Sequence, residues 1–234
     1  MLVAFPAALA LAFVPQGARP TSTFYGQRAP AISALAPSGI DGLPLLEQQE
    51  VFACAFAALG AGTIGLTTVC NAIIPDGIGK NAVKASSLIG LAFMAAGYAH
   101  FALPEAYQAI YPPLGTWGIW YLPGSAEFHV AWTGVAEFLG GLGVFLGGAL
   151  DALGLSLGGR ARPLRMLAAQ ALFGLMVAVC PANLYQYTHG AIMVGAGPDG
   201  PLPLEYHYIR LIIQIALLTV LGFLARDEEP LMVP

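Results

Sequence analysis

The sequence predicts an all-α protein, a bundle of helices that cross a membrane, and three observations carry that prediction. Hydrophobic residues make up 57% of the chain and charged residues 9%, with a mean hydropathy of +0.72, far from the usage of a water-soluble domain. Five segments stay apolar for about the 20 residues that a helical crossing needs. The loops between them alternate in charge, basic on one side and acidic on the other.

The chain opens with MLVAFPAALALA (1–12), which is too short to span and ends in a small-x-small pattern, as a signal peptide does. Residues 13–50 then turn to Pro, Ser, Thr and Ala, with Arg19 and Arg28 and no acid before Asp41. That composition reads as a transit peptide and linker. Together the two resemble the bipartite presequence of algal plastid proteins, with a plain secretory signal and stalk as the alternative.

The first span is predicted over 51–74, 24 residues without a charge. The second is 85–104, the third 128–150, the fourth 166–182 and the fifth 211–225, which 206–210 extends toward the interface. Pro75, Pro104 and Pro181 stand at or near their ends, where a missing N–H costs least. If direction alternates, Lys80, Lys84, Arg160, Arg162, Arg165 and Arg226 share one side. The opposite loops, 105–127 and 183–205, hold Glu105, Glu127, Asp199 and Glu205 and no Lys or Arg. The positive-inside rule then turns the basic side toward the cytosol or, in a plastid, the stroma.

Some functions are excluded at this point. A net charge of −4 without a basic block leaves nucleic acid no electrostatic footprint. Cys54, Cys70 and Cys180 show no paired spacing, and there is no phosphate loop, HExxH or glycosylation sequon.

The polar residues inside the spans are the candidates that remain. Glu137 lies about 13 Å down the third span at about 1.5 Å per residue. A charge at a helix centre costs about 2.5–3.5 kcal/mol on insertion scales, so Glu137 should meet a partner rather than lipid. His207, Arg210 and Gln214 recur at i, i+3 and i+7 on one face of the last span. The expected arrangement pairs Glu137 with Arg210 and has Gln214 donate to Glu137. Thr133, Gly134, Gly140 and Gly141 surround Glu137 with small side chains, and Gly143 and Gly147 continue the surface as GxxxG, so a neighbour can come close. All four histidines, His100, His129, His189 and His207, fall at the acidic side among many Tyr and Trp residues. They form either part of an interfacial belt or a layer that could hold a metal, a pigment or a quinone carbonyl. No two have metal-ligand spacing on one helix, and no metal site or catalytic residue is assigned.

The segments GYAHFALPEAYQAIYPP (97–113), WTGVAEFLGGLGVFLGG (132–148), CPANLYQYTHG (180–190) and YIRLIIQIALL (208–218) resemble, in that order, the DoxX-like family of small four-helix membrane proteins. The resemblance covers about 85–225. Glu137, Asn183, His189, Arg210 and Gln214 match its recurring polar positions, as do Pro104 and Pro112. The presequence and the span 51–74 are additions to the family's pattern. The resemblance implies a four-helix core over 85–226 with one added N-terminal span. It also implies an accessory or quinone-handling subunit of a redox or photosynthetic complex, which the presequence would place in a plastid membrane, thylakoid or envelope. Such subunits work beside other membrane proteins in the bilayer, and any electron chemistry needs a borrowed cofactor or partner. The rival expectations are a structural subunit that holds a pigment and a proton-linked transporter of small solutes. A stand-alone enzyme comes last.

Overall fold

The computed structural model describes residues 40–73, 78–155, 159–196 and 200–226. The expected signal peptide and the transit segment up to residue 39 lie outside them. The described residues form helices and no strands: α1 (Leu45–Ile73), α2 (Ile78–Ala102), α3 (Pro104–Ala109), a 3-10 turn (Thr116–Gly118), α4 (Ala126–Ala152), α5 (Ala161–Ala178), α6 (Cys180–His189) and α7 (Leu204–Leu224). Five stretches are long and apolar enough to cross a membrane, α5 and α6 counting as one from Ala161 to His189. The protein is an all-α polytopic membrane bundle.

The helix ends follow local chemistry and reach beyond the expected spans. α1 starts six residues before position 51, because the Gln48 side chain folds back to donate to the carbonyls of Asp41 (3.1 Å) and Leu43 (2.8 Å). Ser125 caps α4 by accepting from the Phe128 N–H at 3.1 Å. Pro104 and Pro181 sit in the first turns of α3 and α6, where a proline removes no helical hydrogen bond. Pro181 also interrupts the fourth span, so that α6 leaves α5 after Ala178 and carries the chain on to His189, seven residues past the expected end at 182.

α4 is the central helix, with α2 on one flank and α5 on the other, and its glycines make both contacts possible. Gly134, Gly141 and Gly148 recur every seventh residue toward α2. A Cβ on Gly141 would lie 2.6 Å from Met94 N and 2.7 Å from Gly90 O, and one on the opposing Gly97 2.5 Å from Phe138 N. The two backbones touch. Gly140, Gly143 and Gly147 face α5 in the same way, against Leu172, Ala168 and Arg165. Without water to drive helices together, this close van der Waals contact is the main source of association inside a bilayer. At the far end of these helices buried Arg165 pairs with Asp151 and ties α5 to α4.

α7 closes the bundle against α5 and α2, while α1 lies outside on α7 and the 3-10 turn. Only 6% of the most apolar window of α1 is buried, against 39–50% in the other four spans. The segment after α3 turns inward instead of staying an outer loop. Trp117 is 1% exposed, its ring against Phe52, Tyr185 and His189, and its indole N–H donates to Thr188 Oγ1 at 3.0 Å. Gln49 of α1 donates to the Trp117 carbonyl at 3.1 Å. Trp117 has φ 55, a conformation that costs a bulky residue about 1–3 kcal/mol and persists only where its surroundings hold it. The expected aromatic belt is therefore split. Tyr98, Tyr121 and Tyr208 are exposed as belt residues, whereas Tyr107, Trp117 and Tyr185 plug this end of the bundle.

Candidate functional site

Two pockets with mainly apolar walls and a few buried polar groups open at the Trp117 end, and they divide the residues that the sequence groups together. The larger is a cleft of about 840 Å³ between α1, α6 and α7. Val51, Ala55, Phe56, Leu59, Leu184 and Leu211 give it apolar walls. Its buried side carries Arg210, Asn183, Gln214 and Cys180, with His207 and Tyr187 nearby, and Glu47 and Glu50 stand exposed at its rim. The i, i+3, i+7 face of α7 thus lines one site, as its spacing predicts.

Arg210 is 4% exposed and has no carboxylate partner among the described residues. Its Nη1 donates to Asn183 Oδ1 (3.4 Å) and to Gln186 Oε1, and its guanidinium lies 5.5 Å from the centre of the Tyr206 ring. Nε and Nη2 are buried without a hydrogen-bond partner. An ionised group with unused donors is costly in a membrane interior, and a ligand oxygen that accepts from it recovers that cost. Gln214 donates to the Met176 carbonyl (3.2 Å) and to Cys180 Sγ (2.8 Å), tying α7 to the α5–α6 break.

Glu137 is elsewhere. Its carboxylate is 1% exposed, and the nearest group able to carry a positive charge is His100, with Nε2 at 3.8 Å from Oε2. The expected contacts with Arg210 and Gln214 are not made. The reason is packing: α4 turns Glu137 to its α2 neighbour, while α7 turns Arg210 and Gln214 away, into the cleft under α1. His100 belongs to a second pocket of about 80 Å³, lined also by Tyr107, Tyr111, Trp120, His129 and Thr133. Its ring meets the edge of Tyr107 at 4.0 Å, and Gly134 leaves it room, since a Cβ there would lie 2.7 Å from His100 Cβ. Burial holds the Tyr107 phenol above its ordinary pKa, and the Glu137 carboxylate pushes it the same way. Burial also raises Tyr111.

One stretch of chain walls both pockets. Around the α5–α6 break, Cys180 and Asn183 face the cleft while Val179, Pro181 and Ala182 face the smaller space.

The four histidines have different surroundings. His129 uses both ring nitrogens within the protein, Nε2 against the Pro123 carbonyl (2.9 Å) and Nδ1 as acceptor from the Trp132 indole (3.0 Å), and it stacks on Tyr111. It pins the loop to α4. His189 packs among Trp117 and Tyr185 and bonds Thr188 at 2.7 Å. His207 is in the cleft beside Tyr187. Among the described residues no three His, Cys, Asp or Glu side chains gather as a metal-ligand set.

Sequence reasoning missed Gln186 and the rim acids, and read Tyr107 and Trp117 as members of an interfacial belt. Gln186 follows Asn183 at i+3, and that spacing is a legible sign of a shared face. Glu47 and Glu50 fall in a stretch read as linker, although Pro44 followed by an acid at Glu47 is a legible helix start. No family model, curated protein or solved structure matches the chain.

Proposed function

We propose that the cleft binds a lipid-soluble quinone, and that the protein serves as a quinone-handling accessory subunit of a redox or photosynthetic complex. The observation that carries this reading is Arg210, a buried guanidinium with two unused donor nitrogens beside an apolar cavity of about 840 Å³. A quinone offers what that surface lacks: a flat apolar ring, an apolar tail for the wall between α1 and α7, and carbonyl oxygens that accept from Arg210. The exposed carboxylates of Glu47 and Glu50 at the rim favour this neutral amphiphile over an anionic lipid headgroup, which they repel. Electrons would reach the ring from a partner membrane subunit. The resemblance of 85–225 to DoxX-like proteins supports a quinone-linked role. The bipartite presequence supports a plastid membrane, thylakoid or envelope, with the basic loops toward the stroma.

The test is saturable binding of a short-chain benzoquinone to the protein in lipid nanodiscs, alongside mass spectrometry of lipids that co-purify with it. Loss of a hydrogen bond from a charged donor costs about 1.5–3 kcal/mol, so Arg210→Gln should weaken binding roughly tenfold to a hundredfold. Binding that does not saturate, or that Arg210→Gln leaves unchanged, refutes the assignment.

A further inference from the structure

The smaller pocket presents a different chemistry. Three buried polar atoms at or next to it have no hydrogen-bond partner: Glu137 Oε2, His100 Nδ1 and the Tyr107 hydroxyl. Buried polar atoms are almost always paired with protein or water, so three orphans clustered in one place ask for a mobile polar species. A space of about 80 Å³ is several times the roughly 10–15 Å³ that one water needs. Tyr111 and Trp120 add a hydroxyl and an indole N–H from the loop that caps this end. The pocket leads inward to His100, and His100 leads to Glu137 one turn below Thr133.

We infer that His100 and Glu137 form a proton-binding site, loaded from the Trp117 end through this hydrated pocket, an inference that does not rest on a quinone in the cleft. A hydronium ion in the pocket gives its proton to neutral His100 and leaves water. The imidazolium releases its other ring proton to the Glu137 carboxylate, yielding neutral His100 and a protonated Glu137. At 3.8 Å the pair is longer than a hydrogen bond, so transfer uses a side-chain rotation or one bridging water. The titratable groups that face Glu137 are His100 from α2 and Tyr107 from α3. Tyr111 and His129 stand farther out, and the α5–α6 side offers Ala178, Val179, Pro181 and Ala182, none of which titrates. Tyr107, held neutral by burial, serves as a fixed hydroxyl that orders the water.

Infrared difference spectroscopy of the full chain in lipid, titrated with acid and then exchanged into heavy water, tests the proposal. A protonated-carboxyl band should grow as pH falls, shift promptly on exchange, and vanish in Glu137→Gln. The near-isosteric His100→Gln should keep the band and slow its exchange by on the order of a hundredfold, the size of effect a positioned proton-transfer group contributes. A wild-type band that never titrates, or that exchanges no faster than the backbone amides of α4, overturns the site. An unchanged exchange rate in His100→Gln overturns the relay. If Glu137→Gln fails to assemble, the wild-type exchange and the His100→Gln comparison still decide both points.

Discussion

Tyr107 shows what one buried hydroxyl does to the whole protein's response to pH. Its phenol is held above the ordinary value of 10.0 mainly by burial, so the folded chain keeps a proton that the unfolded chain gives up. The stabilisation is fully present below pH about 10 and is lost as pH rises from there toward the folded value. Thermal unfolding followed from neutral to strongly alkaline pH should show the wild type losing stability more steeply than Tyr107→Phe; equal slopes rule the effect out. The need of Glu137 for a partner is legible in the sequence, because an ionised carboxylate at mid-span cannot face lipid without large cost. The identity of that partner is not legible. Helical periodicity tells which residues of α7 share a face but not which neighbour that face meets, and α4 spends its two glycine surfaces on α2 and α5. His100 sits at the end of its own helix, reads as an interfacial residue, and gives no sign of reaching Glu137.

At the scale of the helices, the contact of α2 with α4 depends on paired glycines that bring backbone against backbone. An alanine at Gly97 would place its methyl 2.5 Å from Phe138 N and 2.8 Å from Gly134 O, and neither atom can move alone. Overpacking a rigid site costs about 1–3 kcal/mol, and Gly97→Ala should fall at the upper end, lowering the melting temperature in detergent. Gly60→Ala on α1 is the control. Its Cβ meets nothing within 4 Å, so the melting temperature should hold or rise slightly, since alanine favours a helix by up to about 1 kcal/mol. Equal effects at the two positions refute the packing account. The small-residue surface around Glu137 is visible in the sequence as spacing. Its division into a face for α2 and a face for α5 is not, because GxxxG marks a close approach without naming the helix that approaches. The apolar windows 166–182 and 211–225 are shorter than the helices that hold them for a related reason. Pro181 and the charged start of α7 end an apolar window without ending the helical path.

For the whole molecule, the five crossings follow from composition alone, whereas their arrangement, with four helices packed together and α1 laid outside, depends on tertiary contacts. Of α1 only Gln48 and Leu59 are buried, yet it supplies one entire wall of the large cleft. A chain from which residues 1–74 are deleted should therefore still assemble in the membrane with its remaining helices protected from proteolysis, and should lose saturable quinone binding. Failure to assemble would make α1 a structural necessity instead of a site wall. The break between α5 and α6 has a mechanical consequence. Cys180 and Asn183 look into one compartment while Val179, Pro181 and Ala182 look into the other, so less than two turns of chain act as a septum between the two. Protein interiors are close-packed and transmit strain. Any guest that presses the septum outward from the cleft takes its volume from the smaller chamber, and the two are not filled independently.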